Sequence, residues 1–192
     1  MYHRPVRVPI DLRHSHRLLN HGPLTLVSAA SGDAAAVMAA QWVMPIDFDP
    51  PRIAIVMDAY NHTRELAERS NEVGVSIPVR AQADLAFTLG SVSGRDLDKL
   101  ARWSVPTFAG AEIRAPLIDG CAAWLECRLV REPDIETRHA VFIAEVVAAW
   151  ADDASWRDGR WQFPDDDHRT IHHMGRGLFA VTGPTVQGQK LP

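Results

Sequence analysis

Along the first third of the chain, apolar positions fall into short blocks separated by turn residues. "PLTLVSA" (23–29) and "RIAIVM" (52–57) are rich in branched side chains, and "AVMAAQWVM" (36–44) between them is interrupted only by Gln41. Runs of this length and composition predict three strands. "SGD" at 31–33 supplies hairpin chemistry between the first two, and "DFDPP" at 47–51 separates the second from the third. The order predicts an antiparallel meander.

The period then changes. "HTRELAERS" (62–70) predicts a helix with Thr63 as cap and Arg64, Glu65, Glu68 and Arg69 on a solvated face. "EVGVSIPV" (72–79) predicts a strand, and "AQADLAFTLG" (81–90) a short helix ending at its glycine. "SVSGRDLDKLA" (91–101) predicts a further helix, capped by Ser93, with Asp96 completing a capping box and Leu97 and Leu100 turned to the core. On that helix Arg95 and Lys99 stand at i and i+4, on one face at the positive end of the dipole, where a phosphate also fits. Two long strands follow. In "CAAWLECRLVRE" (121–132) Cys121, Leu125, Cys127 and Leu129 share a parity opposed by Trp124, Glu126 and Arg128. "HAVFIAEVVAAWA" (139–151) is apolar enough to read as a helix as well. From Asp152 the chain turns polar, and 152–170 reads as an exposed excursion.

About six strands with few, short helices predict a mainly β protein, a closed or nearly closed barrel with helices as plugs and lids. A Rossmann unit is not expected, because no GxGxxG follows any strand. No linker divides the 192 residues, so the expectation is one domain.

Composition narrows the partners. A net charge of -4, with no like-charge block beyond the Asp triplet at 165–167, gives no electrostatic footprint for nucleic acid. No apolar run approaches the roughly 18 residues of a membrane span, and "MYHRPVRVPIDLRH" has no apolar signal core. The expected location is the cytoplasm. Cys121 and Cys127 are expected as small buried hydrophobes.

Candidate chemistry is sparse. His168, His172 and His173 with Asp165–Asp167 have metal-ligand side chains, but adjacent histidines seldom share one ion and no HExxH or cysteine partner stands near, so no metal is expected. A serine hydrolase is not expected either, for want of GxSxG. Ala36, Ala39 and Ala40 expose backbone along a strand on which a flat aromatic ligand can lie, covered by Met38, Trp42 and Met44; tight packing between layers is the other reading. Asn61, His62 and Thr63 present polar groups at a helix start, as a cap or as an anion site. A strand suited to a flat ring and two helix starts suited to a phosphate are the parts of a mononucleotide site.

In this order the blocks resemble the flavin reductase-like family, the FMN-binding Greek-key split β-barrels that include flavoredoxin and the reductase components of two-component monooxygenases. The resemblance spans Leu18 to Gly183 and rests on "LLNHGPLTLVSA", "VMAAQWVMPIDFDPPRIAIVM", "NHTRELAERSNEVGVSIP", "SGRDLDKLA", "APLIDGCAAWLECRLV", "HAVFIAEVVAA" and "HHMGRGLFAVTG". It implies a flavin ring on Met38, Ala39, Ala40, Gln41 and Trp42. Asn61, His62 and Thr63 would approach the phosphate, with Ser93, Gly94, Arg95 and Lys99 completing its cradle. FMN is the implied cofactor, with FAD as the alternative, and NADH or NADPH the implied donor. It implies a homodimer with the flavin near the subunit interface, acting as an NAD(P)H:flavin reductase that serves a monooxygenase or another acceptor protein. The alternative is an FMN electron-transfer protein without a nicotinamide site. His139 and His173 are the candidate neighbours of donor or acceptor. The chain departs from the pattern in three places. Thr137-Arg138-His139 stands where Gly-Asp-His is common, Ala144 replaces a glycine, and Asp47 stands where a serine is frequent, placing a carboxylate that disfavours a reduced, anionic ring.

Overall fold

The computed structural model describes residues 6–191; residues 1–5 of the N-terminal stretch and Pro192 lie outside it. Its centre is an antiparallel sheet of eight strands: β1 (Arg7–Pro9), β2 (Thr25–Ser31), β3 (Ala34–Ala40), β4 (Val43–Phe48), β5 (Pro51–Val56), β6 (Glu72–Ile77) and the two long strands after them. Two short strands, β7 (Thr107–Phe108) and β8 (Leu117–Ile118), pair with each other before the long strands β9 (Ala123–Val130) and β10 (Val141–Asp152). The order is β3-β2-β6-β9-β10-β5-β4, with β1 beside β10. Edge strands β3 and β4 are joined through Gln41 and Trp42 alone, yet no ladder pairs them among the described residues. The sheet therefore curls into a Greek-key barrel that is split along this seam.

Strand alternation sorts the apolar residues into two layers. Val27, Met38, Ala40, Val75, Leu125, Cys127 and Phe142 fill the barrel. Leu26, Val37, Trp124 and Ile171 face outward and are covered by α2 (Ala83–Ser91) through Ala86 and Leu89. Ala39 lies on this outer side, and a Cβ on Gly90 would come within 2.9 Å of the Ala39 Cβ. Small residues here let the helix backbone approach the strand, which is the packing reading of the alanine stripe.

The outer layer also buries a charge. Glu126 is fully buried and accepts hydrogen bonds from the amides of Ala111 (3.1 Å), Glu112 (2.7 Å) and Ile113 (3.3 Å) and from Trp150 Nε1 (2.8 Å). Four donors satisfy the carboxylate without a cation.

Several expectations need correction. The 36–44 run is two strands, because the chain bends at Gln41, whose amide is held by remote backbone. The 62–70 helix is α1 (His62–Ser70), but its N-cap is Asn61, and Thr63 is buried rather than capping. The 91–101 helix shrinks to α3 (Lys99–Arg102): Asp98 caps it, accepting from the Ala101 amide at 3.0 Å, while Ser93 accepts from the Arg95 amide in a separate turn at 3.2 Å. Arg95 and Lys99 accordingly share no helix face. Both cysteines are buried and free, but Cys121 precedes β9 and lies in the outer layer, so the shared parity with Cys127 is lost. The helix α4 (Pro133–His139), with proline at its start and Ala140 left-handed at its end (φ 54°), displaces the start of the 139–151 strand to Val141. The 152–170 excursion holds a hairpin of β11 (Trp156–Arg157) and β12 (Arg160–Trp161), which Trp156 anchors in the barrel core. The last hairpin is β13 (Ile171–Gly175) and β14 (Leu178–Val181). Among the described residues no helix is long and apolar enough to cross a membrane.

Candidate functional site

Two clefts meet on the outer face of β3. The first, about 190 Å3, lies between the start of α1 and the loop after α2. Of the residues expected to form a site, it brings together Met38, Ala39, Asn61, His62, Thr63, Ser93, Gly94 and Lys99. Lys99 is buried and donates from Nζ to the carbonyls of Leu89 (2.6 Å) and Val92 (3.0 Å), at the open end of α2. Burial lowers its ammonium to about 8. Two of its three donors are committed to these carbonyls, leaving one for the cleft.

Arg95 stands just outside. It is exposed, hydrogen-bonded to the carbonyl of Tyr60 and ion-paired with Glu65 at 3.3 Å. Glu65 also meets His62 Nδ1 at 3.2 Å and Arg69 at 3.0 Å. Its carboxyl is held below the usual range, first by the hydrogen bond from His62 and then by the arginines.

The second cleft, about 140 Å3, shares Ala39, Gly90 and Ser91 with the first and runs on past Leu24, Gln41 and Phe87 to His173 and Phe179. Its far wall is the β13–β14 hairpin. Gly177, at φ 76°, turns this hairpin onto α2 so closely that a Cβ would come 3.0 Å from the Phe87 ring. Gln41 fixes the wall: its Oε1 accepts from the His173 amide at 2.8 Å and its Nε2 donates to the Gly22 carbonyl at 3.0 Å. Both ends of the Gln41 amide are thus engaged by backbone. His172 Nδ1 pairs with the same Gly22 carbonyl at 2.9 Å, and the His173 ring lies 5.4 Å from that of Phe179.

Other expected residues are placed elsewhere. Ala40 belongs to the barrel core and lines neither cleft, and Met38, although it lines the first cleft, is also largely packed in that core. Trp42 is 74% exposed on the seam, and Met44 and Asp47 are exposed on β4; none of the three lines either cleft. His139 ends α4, exposed, and lines neither cleft. His168 pairs with Asp165 at 2.7 Å and His172 with Gly22, so the run 165–173 does not converge; among the described residues no group of acidic, histidine or cysteine side chains is placed to hold a metal. Sequence reasoning missed Tyr60, Phe87, Gly90 and Phe179. Gly90 carried a signal as a helix end, but its approach to Ala39 is visible only once α2 is docked.

The sequence matches the flavin reductase like domain over residues 17–162. The chain belongs to the flavin reductase-like family. The uncharacterized protein YddH of Escherichia coli is 42% identical over 182 residues, covering 93% of this chain and 96% of that one. An FMN-binding domain of a flavin reductases-like enzyme from Shewanella baltica superposes with a TM-score of 0.95 at 37% identity, covering 98% of this chain and 100% of the other. Flavoredoxin of Desulfovibrio vulgaris shares the fold, with a TM-score of 0.76 at 24% identity over 87% of this chain and 90% of its own. For a flavin reductase-like chain the double cleft suits FMN: polar and cationic at one end, aromatic at the other, and narrowed between by Ala39 and Gly90, where a Cβ on the glycine would not fit.

Proposed function

We propose that this protein binds FMN along the double cleft and transfers reducing equivalents from NADH or NADPH to the flavin, as an NAD(P)H:flavin reductase. The observation that carries the reading is the continuity of the two clefts over Ala39, Gly90 and Ser91, between a polar helix start and an aromatic hairpin. Asn61, His62, Thr63, Ser93, Gly94 and Lys99 hold the phosphate, and Arg95 joins them by exchanging Glu65 for it. Ala39, Gly90 and Phe87 flank the ring, and Gln41 positions the hairpin wall against it. Bound flavin supplies the hydride acceptor, and the protein contributes binding, orientation and exclusion of water. His173 lines the aromatic cleft, and in this reading it neighbours the ring end.

A homodimer belongs to this reading. Met44, Ile46 and Phe48 form an exposed apolar stripe along β4, an edge strand whose ladder is bulged between Pro45 and Asp47, with Trp42 beside them and Tyr60 at the mouth of the polar cleft. A second copy covers such a stripe and completes the site. The reduced flavin then serves a monooxygenase or another acceptor protein.

One observation favours a second reading, an FMN electron-transfer protein without its own nicotinamide site: the departure at Thr137-Arg138-His139 builds the end of α4 and leaves His139 away from both clefts. The test is optical. The purified protein should be yellow or take up FMN, and NADH or NADPH should bleach it under nitrogen. Yellow protein that neither nucleotide bleaches supports the electron carrier, and protein that binds no flavin ends both readings.

A further inference from the structure

Past the polar end the site continues. His62 and Gly94 line the first cleft and also an open one of about 280 Å3 on its far side, bounded by Asp33, Ala34 and Ala35 at the start of β3 and by Arg95 to Asp98. Three carboxylates face this space. Asp98 is engaged as the cap of α3, whereas Asp33 and Asp96 form no ion pair among the described residues. The basic side chains on the same walls are Arg95 and His62, and Glu65 contacts both, at 3.3 and 3.2 Å. The corner that receives one phosphate therefore opens onto a net acidic continuation.

We infer that this acidic continuation makes the site select a flavin mononucleotide over a flavin dinucleotide, with Asp33 and Asp96 as the residues that set the preference. The inference rests on the FMN reading above. FMN ends at its phosphate, which meets the helix start and Lys99. In FAD a second phosphate and an adenosine extend from that point, and a continuous path for them runs between Gly94 and His62 toward Asp33 and Asp96. Arg95 cannot offset them, since it remains tied to Glu65 and Tyr60 or turns to the first phosphate. Like charges at this partly exposed distance repel modestly, each by a few-fold in affinity, and the effect is screened by salt.

Calorimetric titration with riboflavin, FMN and FAD tests this on the full chain. The wild type is expected to bind FAD about ten-fold more weakly than FMN, the product of two such few-fold repulsions. In Asp33→Asn/Asp96→Asn the FAD affinity should rise several-fold, with FMN and riboflavin changed by less than two-fold. Raising the salt should shrink the wild-type preference without any substitution. Equal FMN and FAD affinities in the wild type, a ratio unmoved by the double substitution, or a ratio indifferent to salt would each overturn the selectivity while leaving flavin binding intact. Failure of all three flavins to bind would instead overturn the FMN reading and this inference with it.

Discussion

Lys99 serves two masters, the open carbonyls of α2 and the polar cleft, and that divides the outcome of removing it. Lys99→Ala strands the carbonyls of Leu89 and Val92, so the flavin-free protein should melt earlier, and it removes a charge-assisted contact to the phosphate worth roughly 1.5–3 kcal/mol. FMN affinity should fall while riboflavin affinity holds; equal losses for both would mean a distorted helix end. Arg95→Ala should cost FMN less, since Arg95 must first leave Glu65. The proton balance gives a second readout. Burial lowers Lys99 to about 8, and a bound phosphate favours its charged form. FMN affinity should therefore fall as pH rises through about 8, and riboflavin affinity should not.

His21 behaves in the opposite pH range. Its Nε2 meets Thr170 Oγ1 at 2.9 Å, and burial, followed by the nearby His172, lowers its pKa to about 4. The unfolded chain takes up that proton near pH 6.5 and the folded chain does not, so His21 favours the fold fully above 6.5 and progressively less as pH falls toward 4. Melting temperatures of wild type and His21→Phe, taken across that window, should converge toward acid; parallel curves would show that His21 is not the group responsible.

Among the elements, the β13–β14 hairpin is held by two kinds of bond. Ile171 is buried in the outer layer and its carbonyl accepts from Leu24, so deleting Ile171 to Pro192 should destabilise the flavin-free protein as well as open the cleft. Gln41→Ala is the cleaner cut, removing two hydrogen bonds at about 0.5–1.5 kcal/mol each. It should weaken FMN and riboflavin alike, because it loosens the ring end and not the phosphate end; titration of both ligands decides. This same residue shows what sequence pattern leaves unread. The α1 helix was legible to the residue because its periodicity is local, and the strands around it because branched runs sit between turn signals. The break at Gln41 was not, since its partners lie in the distant segments around Gly22 and His173. Ser93 and Asp98 are equally able caps, and the choice falls to Asp98 because Lys99 must reach back to α2. The polar cleft was legible through residues near helix starts, whereas its aromatic continuation needed the hairpin to be folded over Phe87.

For the whole molecule, the proposed dimer is tested at the exposed stripe on β4. Light scattering at micromolar concentration should give the mass of two chains, and Phe48→Glu, which places a charge in the stripe, should shift it toward one. A single-chain mass for wild type with FMN still bound would mean that one copy makes the complete site.

The seam between β3 and β4 carries a different consequence. Among the described residues every ladder of β3 is with β2 and every ladder of β4 is with β5, so the Gln41–Trp42 peptide bond crosses the barrel without contributing a pairing. A nick at that bond severs no sheet contact: the N-terminal piece keeps a whole β2–β3 hairpin that docks along β6, and the C-terminal piece keeps every other strand of the sheet except β1. Two separately expressed fragments divided there have the means to reassemble by strand addition, with flavin colour reporting that the halves have met.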